Sequence, residues 1–113
     1  MIAVILPLSS FAQGVDFKSL TMKEAQVVAV KEKKMIFIDF YTTWCGPCKM
    51  MSSEVFTQDQ VGEYFNRTFV NLKVDAEKGE GVELAKKSLV KDYPTFVVLR
   101  ADGTEVYRTA GAR

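Results

Sequence analysis

The sequence predicts an α/β domain in which helices cover both faces of a small mixed sheet. Two apolar runs rich in β-forming residues, MIFIDFY (35–41) and TFVVL (95–99), are typical of strands buried on both faces. Segments with helical periodicity separate the strands, and the turn ADG (101–103) joins the last two strands in a hairpin. The predicted element order is α-β-α-β-α-β-β, with the first three strands parallel and the last two antiparallel.

Length and composition limit the classes of function. The 113 residues suffice for one domain with a single core. The 15 basic and 14 acidic residues are mixed along the chain and give a net charge of +1, so we expect no nucleic-acid partner and no anionic membrane surface. Histidine is absent, which excludes Ser-His-Asp and Cys-His catalysis and every histidine-containing zinc site.

The N-terminal segment carries no charge before Asp16. Its apolar part is shorter than the roughly 20 residues of a membrane span, and SFA at 10–12 is typical of a signal-peptidase site. We therefore expect residues 1–12 to be the remnant of a signal peptide, residues 13–113 to be the mature domain, and the protein to be periplasmic or secreted. The alternative is that residues 2–6 form a first strand, in which case the protein is cytoplasmic.

The helices are predicted from capping signals and periodicity. Thr21, with Glu24 three residues later, forms a capping-box pattern that begins a helix over 22–33. A helix follows the cysteine pair, and Thr57, with Gln60 three residues later, restarts a second helical segment through DQVGEYFNR (59–67). FVNLKVD (69–75) alternates as a strand does, and VELAKKSL (82–89) is a short helix with Leu89 facing inward. TEVYRT (104–109) is the returning strand of the hairpin.

Both cysteines of the chain lie in one C-x-x-C, where the strand 35–41 ends and a helix begins. A thiolate on Cys45 would face free backbone N–H groups and the positive end of the helix dipole, which lower a thiol pKa. Pro47 suits a first helical turn, and with Gly46 it keeps the two sulfurs within bonding reach. Cys48 lies one turn deeper, so we expect an exposed attacking Cys45 and a buried resolving Cys48. A structural disulfide across two residues would remove little loop entropy, so a redox pair is favoured.

WCGPCK (44–49) resembles the active-site motif of the thioredoxin family, and the match continues along the chain. Asp39, six residues before the first cysteine, stands where the family has a buried aspartate; YPT (93–95) is similar to its cis-proline segment, and ADGTEV followed by Gly111 to its terminal hairpin. SSEVFTQDQV and FVNLKVD are more similar to secreted members, including the C-terminal domain of transmembrane thiol reductases. The resemblance implies a thioredoxin-like three-layer α/β/α fold.

The resemblance also implies roles for individual residues. Cys45 would attack a substrate disulfide, Cys48 would release the reduced product, and Asp39 would exchange a proton with Cys48. The residues expected to bind substrate are Trp44, Gly46, Pro47, Tyr93 and Pro94, with Pro94 in the cis form. No cofactor beyond the dithiol and no metal is expected.

Three departures from the family pattern affect these expectations. Asn71 replaces the family's buried lysine, and Lys73, two residues along the same strand, is the candidate substitute. Ser53 replaces a mid-helix proline and predicts a straighter helix. The sequence stops at AGAR, where the family adds a final amphipathic helix, so the domain is predicted to be C-terminally short, with exposed apolar surface.

The leading hypothesis is a monomeric thiol–disulfide oxidoreductase that reduces protein disulfides outside the cytoplasm. Its electron donor would be a thiol reductase, membrane-borne in this compartment. Gly-Pro between the cysteines favours a reductase over a disulfide oxidase or isomerase. Two other classes stay open: a thioredoxin-fold adaptor that binds peptides, with vestigial cysteines, and a metal site formed between the C-x-x-C motifs of two copies.

Overall fold

The computed structural model describes residues 13–111, so the predicted signal remnant and its alternative strand lie outside the described residues. The strands and helices are, in order, β1 (Phe17–Lys18), α1 (Met22–Glu32), β2 (Met35–Tyr41), α2 (Gly46–Met50) with a π-helical turn directly after it (Met51–Val55), α3 (Asp59–Thr68), β3 (Phe69–Asp75), α4 (Glu80–Lys87), β4 (Thr95–Leu99) and β5 (Glu105–Ala110). Within 13–111, no helix is long and apolar enough to cross a membrane.

The five strands form one mixed sheet in the order β1-β3-β2-β4-β5. β2 lies at its centre, parallel to β3 and antiparallel to β4, and the hairpin partner β5 forms one edge. The predicted mixed sheet and terminal hairpin are therefore confirmed. The two-residue β1 was not predicted, because two residues are too few to show a strand pattern.

The predicted parallel direction of the third strand is wrong: β4 runs antiparallel to β2, with Thr95 opposite Phe40. β4 starts at the end of the sheet where β3 finishes, because Asp75 lies beside Tyr41 and Thr95 beside Phe40. In the connection 76–94 only α4 is helical, and its eight residues span about 12 Å, less than the roughly 23 Å of a seven-residue strand. The rest of the connection brings the chain back to the end of β3 and not to the far end of the sheet.

Each face of the sheet carries its own core because side chains along a strand alternate between faces. Ile36, Ile38 and Phe40 of β2 pack in one core, which α1 and α4 cover through Ala25, Ala29 and Ala85. Phe37 lies in the other core, together with Phe56 and Phe69 and with partly buried side chains of the π-helical turn and α3. The predicted three-layer arrangement is confirmed. Asp39, two residues after Phe37, points to the same face of the sheet as Phe37, the face on which α2 lies.

The predicted N-cap residue is confirmed for α1 and is wrong for α3. The capping box of α1 is formed as predicted, with Thr21 and Glu24 each accepting a hydrogen bond from the other's backbone N–H. The helical segment predicted through DQVGEYFNR is confirmed as α3, but its N-cap is Gln58 and not Thr57, whose hydroxyl instead donates to the Ser53 carbonyl at 2.8 Å. Ser53 itself lies in the π-helical turn that continues α2, and the straighter helix expected here stays a prediction.

Leu89 does not face inward as predicted. α4 ends at Lys87, and Leu89 lies beyond it in the left-handed region with a φ of 55°, so helical periodicity no longer places its side chain. It is 73% exposed.

Apolar surface is exposed beside the second core, as expected. A groove of about 340 Å³ runs between the π-helical turn, α3 and β5, and the half-exposed rings of Tyr64 and Tyr107 line it. Phe96 and Val98 of β4 form part of its floor.

Candidate active site

The cysteine pair lies at the start of α2, as predicted. Cys45 is the N-cap residue, and its sulfur accepts a hydrogen bond from the Cys48 backbone N–H at 3.1 Å. The two residues form a disulfide with their Cα atoms 5.3 Å apart. Pro47 occupies the first helical turn, where its missing N–H leaves no acceptor unpaired. The sequence folds this way because Cys-Gly-Pro supplies a capping atom, a small residue and a preset φ in succession.

The expected difference in exposure between the cysteines is not present in this disulfide form. Cys45 and Cys48 are each only 3% exposed. As the N-cap residue, Cys45 folds its side chain back over the first turn, and the bond to Cys48 directs its sulfur inward.

Asp39 is a buried carboxyl on the side of the sheet that faces α2. It is 1% exposed, and neither of its oxygens has a hydrogen-bond partner among the described residues. Burial raises the pKa of Asp39 from 3.8 to about 6, while the positive charge of Lys73 acts in the opposite direction. A carboxyl with this pKa both gains and loses protons close to neutral pH.

Lys73 supplies a positive charge beside the Asp39 carboxyl. It lies directly opposite Asp39 in the register of β2 and β3, and its ammonium group binds the Ser52 hydroxyl. Asn71 instead lies opposite Phe37, and its amide donates to the Phe65 carbonyl at 3.3 Å. Lys73 therefore places a positive charge on the strand beside Asp39, and its substitution for the family's lysine stays a prediction.

A cavity of about 320 Å³ connects the surroundings of Cys48 with Lys73. Hydroxyl groups are abundant in its lining, and the Thr42 hydroxyl is buried without a partner among the described residues. The full lining consists of Tyr41, Thr42, Thr43, Cys48, Lys49, Ser52 and Lys73. The cavity therefore reaches Cys48 and Lys73, whereas the buried Asp39 is not among its lining residues.

The residues predicted to bind substrate lie at the same end of the sheet. Trp44 is 66% exposed, and its ring makes an edge-to-face contact with Tyr93 at 6.2 Å between centroids. The Tyr93–Pro94 peptide is cis, as the resemblance implies, and Pro94 directly precedes the start of β4. Gly46 and Pro47 are exposed beside the pair, and a Cβ at Gly46 would meet no atom within 4 Å. The roles of these residues in binding stay predictions.

One residue of the site was missed by sequence reasoning. Glu77 accepts the Trp44 indole N–H at 3.1 and 3.2 Å through its two carboxylate oxygens. It lies in the charged loop between β3 and α4, where a glutamate is ordinarily solvated, and nothing in the local sequence distinguishes it from Glu80 or Glu83. Only the approach of two distant segments identifies it.

The chemistry available here is thiol–disulfide exchange. Within residues 13–111, no group of three or more Cys, Asp or Glu side chains is arranged to hold a metal ion. The site offers a dithiol at a helix start, a buried carboxyl that titrates near neutral pH, and a cation beside that carboxyl.

Comparison with known proteins agrees with this geometry. The thioredoxin family model matches residues 16–113. Thioredoxin-1 of Drosophila melanogaster is 41% identical over 73 residues, which cover 65% of this chain and 64% of that protein. Thioredoxin H2-2 of Oryza sativa is 39% identical over 80 residues, 71% of this chain and 54% of the relative. The matched part therefore spans between about half and two thirds of the length of these relatives.

Solved structures resemble this chain over more of its length. A protein from Bacteroides thetaiotaomicron, provisionally described as a disulphide-isomerase, has a TM-score of 0.81 and 51% identity, and the alignment covers 91% of this chain and 85% of that one. A thioredoxin from Thermus thermophilus has a TM-score of 0.71 and 31% identity, with coverage of 80% and 72%.

The active-site motif at a helix start, the buried aspartate, the cis-proline and the family match over residues 16–113 agree with one another. This chain belongs to the thioredoxin family of thiol–disulfide oxidoreductases.

Proposed function

We propose that this chain reduces protein disulfides, with Cys45 as the attacking sulfur and Cys48 as the resolving sulfur. The observation that carries the proposal is the position of Cys45 as the N-cap of α2, where its sulfur accepts the Cys48 N–H. A helix start stabilises a thiolate, and the thiolate is the nucleophile of disulfide exchange.

The reaction transfers two electrons from the dithiol to the substrate. The Cys45 thiolate attacks one sulfur of the substrate disulfide, which forms a mixed disulfide and releases one substrate thiolate. Asp39, ionised above a pKa of about 6, accepts the proton of the Cys48 thiol. The Cys48 thiolate then attacks the Cys45 sulfur, which forms the Cys45–Cys48 disulfide and releases the second substrate thiolate; this thiolate takes up the proton held by Asp39 and leaves as the thiol.

The cycle closes when a second dithiol reduces that disulfide, and no cofactor beyond the cysteine pair is required. We propose that this donor is a thiol reductase, membrane-borne if the protein works outside the cytoplasm. The uncharged N-terminal segment with SFA at 10–12 supports a periplasmic or secreted location.

Two cysteine variants test the mechanism. Cys48→Ser should accumulate a mixed disulfide with insulin whose disulfides are intact. The intermediate forms in this variant, but no second sulfur is present to resolve it. Cys45→Ser should trap nothing and should lose dithiothreitol-dependent insulin reduction. If neither the unchanged protein nor Cys45→Ser accelerates insulin reduction above the dithiothreitol background, and Cys48→Ser traps no mixed disulfide, the adaptor hypothesis is favoured instead.

A disulfide isomerase is the second candidate, because the Bacteroides thetaiotaomicron protein of 51% identity is described in that way. The reduction potential of the Cys45–Cys48 couple separates the two: thioredoxin lies at about −270 mV and protein disulfide isomerase at about −180 mV. A potential near the first value, with little refolding of scrambled ribonuclease, supports the reductase. A potential near the second value, with efficient refolding, supports the isomerase.

A further inference from the structure

Thr42 is a buried residue whose side chain carries an unsatisfied polar group. It directly follows β2 and is 1% exposed, and its hydroxyl has no hydrogen-bond partner among the described residues. A buried hydroxyl without a partner costs free energy, so such a group in a folded protein requires an explanation. Thr42 has no part in the reaction steps proposed above.

The position of Thr42 relates its hydroxyl to the cysteine pair. Thr42 and Cys48 line the same cavity of about 320 Å³, and both residues are buried. Backbone hydrogen bonds keep the two segments together: the Cys45 N–H donates to the Thr42 carbonyl at 3.3 Å, and the Cys48 N–H donates to the Cys45 sulfur at 3.1 Å. Thr42 is therefore held against the first turn of α2, in which Cys48 lies.

Reduction of the cysteine pair changes what the Thr42 hydroxyl can bind. In the disulfide, the Cys48 sulfur is bonded to the Cys45 sulfur and receives no hydrogen bond from Thr42. Reduction breaks this bond, and the two sulfurs move apart to nonbonded distance. The Cys48 sulfur, on the wall of the shared cavity, is then a thiol or a thiolate, and a hydrogen bond to the charged thiolate is the stronger of the two.

We propose that the Thr42 hydroxyl donates a hydrogen bond to the Cys48 sulfur in the reduced form, and that it thereby stabilises both the dithiol and the resolving thiolate. The effect on the rate of resolution rests on the proposed function. The effect on the equilibrium between dithiol and disulfide does not depend on which substrate the chain reduces.

Thr42→Val isolates the hydroxyl from the ionisable groups around Cys48. Lys49, Lys73 and Tyr41 line the same cavity, and Asp39 is buried on the same strand as Tyr41. Valine has nearly the shape of threonine, and the substitution changes no charge, so these groups stay as they are. Any change in the chemistry of Cys48 then reports the loss of one hydrogen bond.

The first measurement is the exchange equilibrium with glutathione. Two glutathione thiols pass two electrons and two protons to the Cys45–Cys48 disulfide, which gives the dithiol and one glutathione disulfide. Thr42→Val should lower the equilibrium constant of this reduction about three- to tenfold, because only the dithiol loses a hydrogen bond. This change makes the reduction potential of the couple more negative by about 15–30 mV.

The second measurement separates the two sulfurs kinetically with dithiobis(nitrobenzoate). Attack by the Cys45 thiolate releases one thionitrobenzoate and forms a mixed disulfide. Attack by the Cys48 thiolate on the Cys45 sulfur then releases the second thionitrobenzoate and forms the Cys45–Cys48 disulfide, at a rate independent of reagent concentration. Thr42→Val should slow this second phase about three- to tenfold at neutral pH and leave the first phase within about twofold.

Two further variants serve as controls. Thr42→Ser retains the hydroxyl and should stay within about twofold of the unchanged protein in both measurements. Thr43→Val makes the same substitution at the next residue, which is exposed, and should change neither measurement. Urea unfolding of the disulfide form should show Thr42→Val to be no less stable than the unchanged protein, because the hydroxyl has no partner there to lose.

The inference is overturned if Thr42→Val changes neither the glutathione equilibrium nor the second phase. It is also overturned if Thr42→Ser or Thr43→Val has the same effect as Thr42→Val, or if Thr42→Val lowers the stability of the disulfide form. A second phase whose pH dependence shifts while the equilibrium is unchanged would place the hydroxyl on Asp39 and would equally refute the assignment. If the unchanged protein fails to reduce insulin, the proposed function fails, and the glutathione equilibrium still decides the role of Thr42.

Discussion

Asp39 shows how a single buried carboxyl couples chemistry to stability. No described residue donates a hydrogen bond to it, and its charge is partly compensated only by Lys73 across the strand pair. The same burial that raises its pKa to about 6 makes the ionised form unfavourable in the folded protein. A group suited to proton exchange near neutral pH therefore lowers stability at that pH.

Replacing Asp39 by Asn should remove this dependence of stability on pH. A folded pKa of about 6, above the ordinary 3.8, means that the contribution of Asp39 is fully present below about pH 4 and is lost as the pH rises through 6. The difference of about two pKa units corresponds to roughly 3 kcal/mol, so Asp39→Asn should be more stable than the unchanged protein by up to that amount at pH 7, and similar to it at pH 4. Urea unfolding of the disulfide form at both pH values measures this, and an identical pH dependence in the two proteins would contradict it.

Replacing Lys73 by Met should shift the pH profile of the reaction. Lys73 lowers the pKa of Asp39, so its loss should raise that pKa further. The inflection near pH 6 in the rate of resolution of a mixed disulfide should then move to higher pH. Lys49→Met is the matched control, since Lys49 lines the same cavity but does not face Asp39 in the strand register. Equal profiles for the two lysine variants would exclude the assigned role of Lys73.

At the scale of elements, the helices before and after β2 are capped by different groups. Helix α1 precedes the strand and begins with a complete capping box, and Lys33 closes it in a left-handed conformation. Helix α2 follows the strand and begins with a sulfur cap in place of a hydroxyl. The capping box of α1 contributes to stability, whereas the sulfur cap of α2 places the reactive atom at the helix start.

The capping box of α1 makes a prediction about stability alone. Thr21→Ala should lower the free energy of unfolding by about 1 kcal/mol, because the Glu24 N–H loses its acceptor and the reciprocal bond loses its geometry. Thr21→Ser retains the hydroxyl and should lower the free energy of unfolding by only about a few tenths of a kcal/mol. Denaturant unfolding measures both, with insulin reduction expected to be unchanged; equal losses for Ala and Ser would argue against the cap.

For the whole molecule, the sheet separates an aliphatic core from an aromatic one. α1 and α4 cover the aliphatic side, and the aromatic side collects rings under the π-helical turn and α3. Phe37 is the centre of the second core, with ring centroids of five other phenylalanines within 6.4 Å. Because Asp39 follows Phe37 on the same face of β2, the aromatic core also supports the carboxyl.

Truncating Phe37 should therefore be severe. Phe37→Ala should destabilise the protein by about 3–5 kcal/mol, the usual cost of removing a fully packed ring. Tyr107→Ala, on the same side of the sheet but 61% exposed, is the control and should cost much less. Thermal and urea unfolding give both values, and comparable losses in the two variants would show that the ring cluster is not the core of this face.

The sequence by itself determined the features that depend on neighbours in the chain. The buried strand 35–41, the Thr21 capping box and the helix start at Cys45 each follow from contiguous residues, because propensity, capping and dipole effects act within one or two turns. Asp39 and Pro94 were found because the family motif fixes their spacing. The tertiary structure alone decided the antiparallel direction of β4, the pairing of Lys73 with Asp39 and the bond from Trp44 to Glu77. Those features join segments more than 30 residues apart, and their geometry depends on connection length and sheet register, which no local pattern encodes.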